Sequence, residues 1–145
     1  MLQNAVPSAA NIKQKGVLQV SVVLIALAAL AVDLYTKALA VSRLAGNSFP
    51  VIDNILNFTY VENTGAAFGM LKNGNVFLII STVIILAAVI AYLTIKKPKA
   101  KAVKIASALI IGGALGNLYD RIFRGFVVDF IDIRFINYPV FNIAD

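Results

Sequence analysis

From Val76 to Ile95 the chain runs twenty residues without a single charge. A helix of about 20 such residues crosses the hydrocarbon core of a bilayer. Lys96-Lys97-Pro98-Lys99 ends the run, since Pro cannot continue a helix and lysines mark the interface. Ala102 to Leu118 is a second such run, with Lys104 close enough to its end to snorkel. Val17 to Val32 is apolar apart from Gln19 and Ser21, and it reaches spanning length only by including Asp33-Leu34-Tyr35-Thr36-Lys37. Hydrophobic residues make up 60% of the 145-residue chain, against about 45–50% in soluble domains. The expected fold is a membrane all-α helical bundle. It forms one domain over residues 1–145, with spans at about 17–37, 76–95 and 102–118 and extracytoplasmic segments at 38–75 and 119–145.

The net charge of +6 is distributed in a way that argues for topology and against nucleic acid. The N-terminal tail and the 96–104 loop hold seven lysines (13, 15, 96, 97, 99, 101, 104) and no acid. Residues 33–74 and 119–145 hold all seven acids: Asp33, Asp53, Glu62, Asp120, Asp129, Asp132 and Asp145. The lysine asymmetry puts the N-terminus and the 96–104 loop in the cytoplasm. Every carboxylate then lies outside or near the outer interface. The alternative for the first run is a cleaved leader ending at Ala38-Leu39-Ala40. Its length, and Asp33 and Lys37 within it, favour a retained span.

The chain has no Cys and no His. Disulfides, thiol nucleophiles, Ser-His-Asp triads and HExxH zinc sites are therefore excluded. An enzyme built from this chain must use carboxylates, Lys, Tyr or an assisted water.

Several motifs place such groups at the outer ends of the spans. Asp33 and Lys37 are four apart on one helix face and form an ion pair, either as an interfacial bridge or as part of a site. "NTGAAFG" (63–69) reads as a turn re-entering the second span; functionally, Gly65 and Gly69 allow close backbone approach and Asn63 offers donors and an acceptor. In "GGALGNLYDR" (112–121), Gly112 and Gly116 have the GxxxG spacing of close helix packing. Asn117, Asp120 and Arg121 follow on a shared face if the helix persists. Asp120 with Arg121 reads as a supporting pair, because an adjacent arginine keeps a carboxylate ionised. Asn57-Phe58-Thr59-Tyr60-Val61 and Phe130-Ile131-Asp132-Ile133-Arg134-Phe135 alternate like short strands.

Asp129 in "VVDF" and Asp145 in "FNIAD" have apolar neighbours and no adjacent base. Two such carboxylates brought together share one proton, so that one acts as base and the other as acid. Asp132 is the weaker candidate, since Arg134 lies on its side of the alternation.

In order and spacing, "DLYTK", "NTGAAFG", "GGALGNLYDR", "GFVVDF" and "FNIAD" resemble the bacterial lipoprotein signal peptidases (signal peptidase II). The resemblance covers Asp33 to Asp145. It implies an aspartic endopeptidase of the bacterial inner membrane with four spans and a small extracytoplasmic β-platform. Such an enzyme removes the signal peptide of diacylglyceryl-modified prolipoproteins, just before the lipidated cysteine. By the same resemblance Asp129 and Asp145 are the catalytic pair. Asn63, Asn117, Arg121 and Asn142 hold substrate backbone and orient the pair, Asp120 and Gly65 support them, and Asp33 and Lys37 are either structural or support the site from behind these residues. No cofactor or metal is implied. The partners are lipidated precursors and membrane phospholipid, and the enzyme is monomeric. Family members continue past "FNIAD" into a fourth span, so the chain ending at Asp145 is expected to be weakly active or inactive.

Three other readings stand beside this one. A Ser/Lys peptidase would use Lys37 with Ser42 or Ser48. A transporter or complex subunit would use the acids as an ion path. A Mg²⁺ or Ca²⁺ site would draw on Asp120, Asp129 and Asp132.

Overall fold

The computed structural model describes residues 9–44, 47–66, 70–136 and 138–145, and for residues 9–19 the backbone alone. Three helices and three strands follow one another as α1 (Ala9–Leu44), β1 (Ser48–Ile52), β2 (Leu56–Asn63), α2 (Asn75–Lys96), α3 (Lys101–Phe123) and β3 (Val127–Ile133). All three helices are long and apolar enough to cross a membrane: Val20–Leu44 of α1, and α2 and α3 entire. The fold is a helical membrane bundle carrying a small antiparallel sheet. α1 runs unbroken through Ala38-Leu39-Ala40 and extends beyond the 17–37 segment at both ends.

α2 shows what lipid does to a sequence. Its only buried residue is Leu86, and Val76, Phe77, Ile80, Ile84 and Ile85 all project outward. A helix apolar all round is stable in this way only in a lipid-like surrounding. α3 is the opposite case. Ser107, Ala108, Gly112, Gly113, Gly116 and Asp120 are buried, and they trace a stripe of small residues at helical spacing. A side chain on Gly112 would meet the Ala26 carbonyl at 2.6 Å and Ala29 Cβ at 2.7 Å, so α1 and α3 approach with their backbones nearly touching. At Gly116 an added Cβ would overlap the Asp33 carboxylate. The GxxxG spacing is thus a packing device that also makes room for a charge.

The sheet has the order β1-β2-β3, all antiparallel. β1 is a strand that the alternation did not reveal. All five of its residues are exposed and it contains Pro50, which only an edge strand tolerates. β3 begins at Val127, three residues before the alternating stretch. Val127, Val128, Asp129 and Phe130 are all buried, and burial on both faces removes the period-2 signal. Val128 and Phe130 pack against Ala40 of α1, with Phe58 of β2 beside them. This small core seats the sheet on the ends of the helices.

Candidate active site

β3 is an edge strand, and its free edge is taken by the last segment of the chain. Phe141 bridges Ile131: Phe141 N donates to Ile131 O (3.1 Å) and Ile131 N donates back to Phe141 O (2.8 Å). Residues 142–145 are thereby laid next to Asp129. Gly113 completes the placement. A Cβ there would meet the Ala144 carbonyl at 2.5 Å, so only glycine lets this segment lie against α3.

Asp129 and Asp145 now line one cleft of about 180 Å³, together with Asn63, Asn117, Arg121 and Tyr138. A second cleft of about 280 Å³, holding Glu62, Gly65 and Lys72, shares Asn63 and Asp129 with the first. The two clefts make a groove passing over Asp129.

Asp129 is 2% exposed. Asn63 Nδ2 donates to its Oδ2 (2.8 Å) and Asn142 Nδ2 to its Oδ1 (2.7 Å). Asn63 reaches it because Asn63 pairs with Val127 across the sheet, so that Asp129 is the diagonal neighbour on the same face. Burial pushes the Asp129 carboxyl above the ordinary carboxylate range; the two amides and Lys37 oppose this, and the nearby Asp145 adds to it. Asp145 is exposed, and receives Asn117 Nδ2 at Oδ1 (3.0 Å) and the Asn142 backbone N–H at Oδ2 (3.2 Å).

The three amides all present their NH₂ groups to carboxylates. A backbone N–H fixes two of them: Gly65 N donates to Asn63 Oδ1 (2.9 Å) and Ala144 N to Asn142 Oδ1 (2.7 Å). Asn117 accepts from Lys37 Nζ (2.7 Å) and from Asn142 Nδ2 (3.2 Å). Arg121 donates to Gly65 O (3.3 Å), tying the 64–66 turn to α3, while Asn75 Nδ2 donates to Arg121 O (3.0 Å). Residues 67–69 of "NTGAAFG", Gly69 among them, lie outside the described residues.

Behind the cleft lies a buried charge cluster. Lys37 Nζ pairs with Asp33 Oδ2 (2.8 Å) and Asp120 Oδ2 (3.4 Å), and all three residues are fully buried. Asp120 does not pair with Arg121 as the sequence suggested. Successive helix residues point about 100° apart, and Asp120 instead meets Arg124, one turn on, at 2.9 Å. Its Oδ2 also accepts the Val128 N–H (3.1 Å), which anchors the start of β3 to α3. Sequence alone does not single out Arg124 or Gly113; the i,i+4 spacing from Asp120 is the signal for Arg124, whereas nothing local marks Gly113. Two charges opposed by two charges keep the cluster neutral. Removing one member would leave an uncompensated buried charge, at about 3–5 kcal/mol.

Among the described residues neither a Ser–Lys pair nor an acidic metal cluster forms. Lys37 is engaged by Asp33, Asp120 and Asn117, whereas Ser42 Oγ donates to Leu39 O (3.1 Å) and Ser48 Oγ lies 2.9 Å from Thr59 Oγ1. Asp132 pairs with Arg134 at 2.9 Å and accepts from Thr59. Among the described residues no three acidic side chains gather as metal ligands.

This geometry can be set beside known proteins. The family model described as Signal peptidase (SPase) II matches residues 25–145. The chain belongs to the signal peptidase II family. A lipoprotein signal peptidase of Caldanaerobacter subterraneus subsp. tengcongensis is 48% identical over 114 residues, covering 78% of this chain and 77% of that protein. One from Clostridium novyi is 43% identical over 127 residues, covering 85% and 86%. Among solved structures, a bacterial membrane enzyme superposes with a TM-score of 0.79 at 38% identity, covering 86% of this chain and 78% of the other. The three apolar helices with a small antiparallel sheet are therefore the fold of a membrane enzyme of this family.

Proposed function

We propose that this signal peptidase II removes the signal peptide from diacylglyceryl-modified prolipoproteins, cutting before the lipidated cysteine, with Asp129 and Asp145 as an aspartate dyad. The observation that carries the reading is the convergence of these two carboxylates on one cleft, linked through Asn142, in a chain lacking His and Cys. The relatives that bear the name lipoprotein signal peptidase supply the substrate class.

The pair divides the roles. Asp129, pushed up by burial, acts as acid. Asp145, whose carboxylate accepts from the Asn117 amide and the Asn142 N–H, acts as base. A water between them loses a proton to Asp145 as its oxygen bonds to the scissile carbonyl carbon, and Asp129 protonates the carbonyl oxygen. Collapse of the tetrahedral species breaks the C–N bond, with the Asp145 proton passing to the departing nitrogen and the hydroxyl proton returning to Asp129. Asn63, Asn117 and Asn142 hold the pair, while Arg121 and the Gly65 turn border the groove where substrate backbone would lie. On this reading the enzyme works as a monomer in the bacterial inner membrane among phospholipids, N-terminus inside, with its site at the outer face where a lipidated substrate presents its cleavage point.

Asp129→Asn and Asp145→Asn, made separately in the full protein, test the dyad. Each should stop conversion of a lipidated precursor while leaving membrane insertion unchanged. Cleavage retained in either variant would overturn the assignment.

A further inference from the structure

Of the three amides in the site, Asn117 alone is oriented, among the described residues, by a side chain from outside it. Asn63 and Asn142 take their orientation from backbone N–H groups two residues on. Asn117 takes its orientation from α1. An amide can turn end for end with almost no change of shape, so what fixes it must be chemical. An ammonium has three donors and no acceptor. The Lys37 ammonium donates to Asn117 Oδ1 (2.7 Å) and lies within ion-pair range of Asp33 Oδ2 and Asp120 Oδ2, and the side chain is buried.

We infer that Lys37 is a positioning residue for the dyad: because it can only donate, it holds Asn117 with its oxygen inward and its NH₂ toward Asp145. A reversed Asn117 would set its NH₂ against the Lys37 ammonium and the Asn142 NH₂, and its oxygen against the Asp145 carboxylate. Three hydrogen bonds would be lost together. The same orientation leaves Asn117 Oδ1 free to accept from Asn142, whose NH₂ also holds Asp129. One buried cation thus sets the direction of the amide that serves Asp145, and through the Asn117 oxygen it adds to the hold on the amide that serves Asp129. The ion pair with Asp33, whose carboxylate fills the space that a side chain at Gly116 would take, keeps that cation in place.

The inference rests on the proposed dyad, and three variants separate the two. The charged groups around the Asn117–Asp145 contact are Asp33 and Lys37 from α1, Asp120, Arg121 and Arg124 from α3, and Asp129 from β3. Lys37→Met should lower kcat about 10²-fold with KM little changed, as expected for a misplaced catalytic group. The acid limb of its pH–rate profile should move to higher pH. Asp33→Asn/Lys37→Met removes the charge left unpaired by the single change. It should regain thermal stability without regaining kcat. Asn117→Asp keeps an oxygen for Lys37 but turns a second carboxylate oxygen on Asp145, and should move the acid limb in the same direction while folding normally. A double variant with both wild-type stability and wild-type kcat would reduce Lys37 to an ion-pair partner and end the inference. So would an unchanged pH profile in Asn117→Asp, which decides the matter even if Lys37→Met fails to insert. Failure of the dyad itself shows elsewhere, as cleavage retained in Asp129→Asn.

Discussion

Asp129 is pulled in two directions. Burial favours its neutral form, while amide hydrogen bonds from Asn63 and Asn142 favour the ionised one, and burial prevails. The sign of a pH experiment follows. A raised pKa means that the catalytic proton is present at lower pH and is lost as pH rises through that value. Under the proposed mechanism the alkaline limb of the pH–rate profile therefore belongs to Asp129. Asn63→Leu removes one of the two donors that oppose burial, so that limb should move to higher pH while kcat falls. A limb that stays put or moves down would mean that Asp129 does not carry the proton. Gly65 has a comparable but indirect part, since its N–H sets the direction of the Asn63 amide.

At the scale of the elements, the decisive contact is between α3 and the segment after Phe141. Gly113→Ala would place a methyl 2.5 Å from the Ala144 carbonyl. Overpacking of this kind costs about 1–3 kcal/mol, and the segment can relieve it by moving Asp145 off Asn117. Activity should fall about 10²-fold, as for a 1 Å misplacement, with only a small drop in thermal stability in detergent. A variant with normal activity would show that the segment tolerates displacement. Much of this architecture was legible in the residues. Long uncharged runs dictate spans, and four-residue spacing placed Asp33 beside Lys37. The losses have physical causes. β1 is exposed throughout and β3 opens with residues buried on both faces, so neither start carries an alternation. The Asp120–Arg124 pair lay hidden behind a closer neighbour in sequence, Arg121, which the helix turns away. Gly113 reads like any other small residue of the stripe, because the segment it admits is about thirty residues downstream.

For the whole molecule, the lysine distribution predicts an orientation that the absence of native cysteine makes easy to measure. Asp53 and Lys99 are both exposed. In intact cells, Asp53→Cys should react with a membrane-impermeant maleimide and Lys99→Cys should not; the reverse pattern would invert the proposed topology. Orientation also bears on how the site withstands its surroundings. Asp145 is held by Asn117, and the strand of Asp129 is held through Val128 by Asp120, so both carboxylates are referenced to residues one turn apart on α3. Helices tilt when bilayer thickness changes. A tilt of α3 carries both carboxylates along as one body and leaves their separation unchanged. On the proposed mechanism, the distance on which the chemistry depends is thereby insulated from the thickness of the membrane.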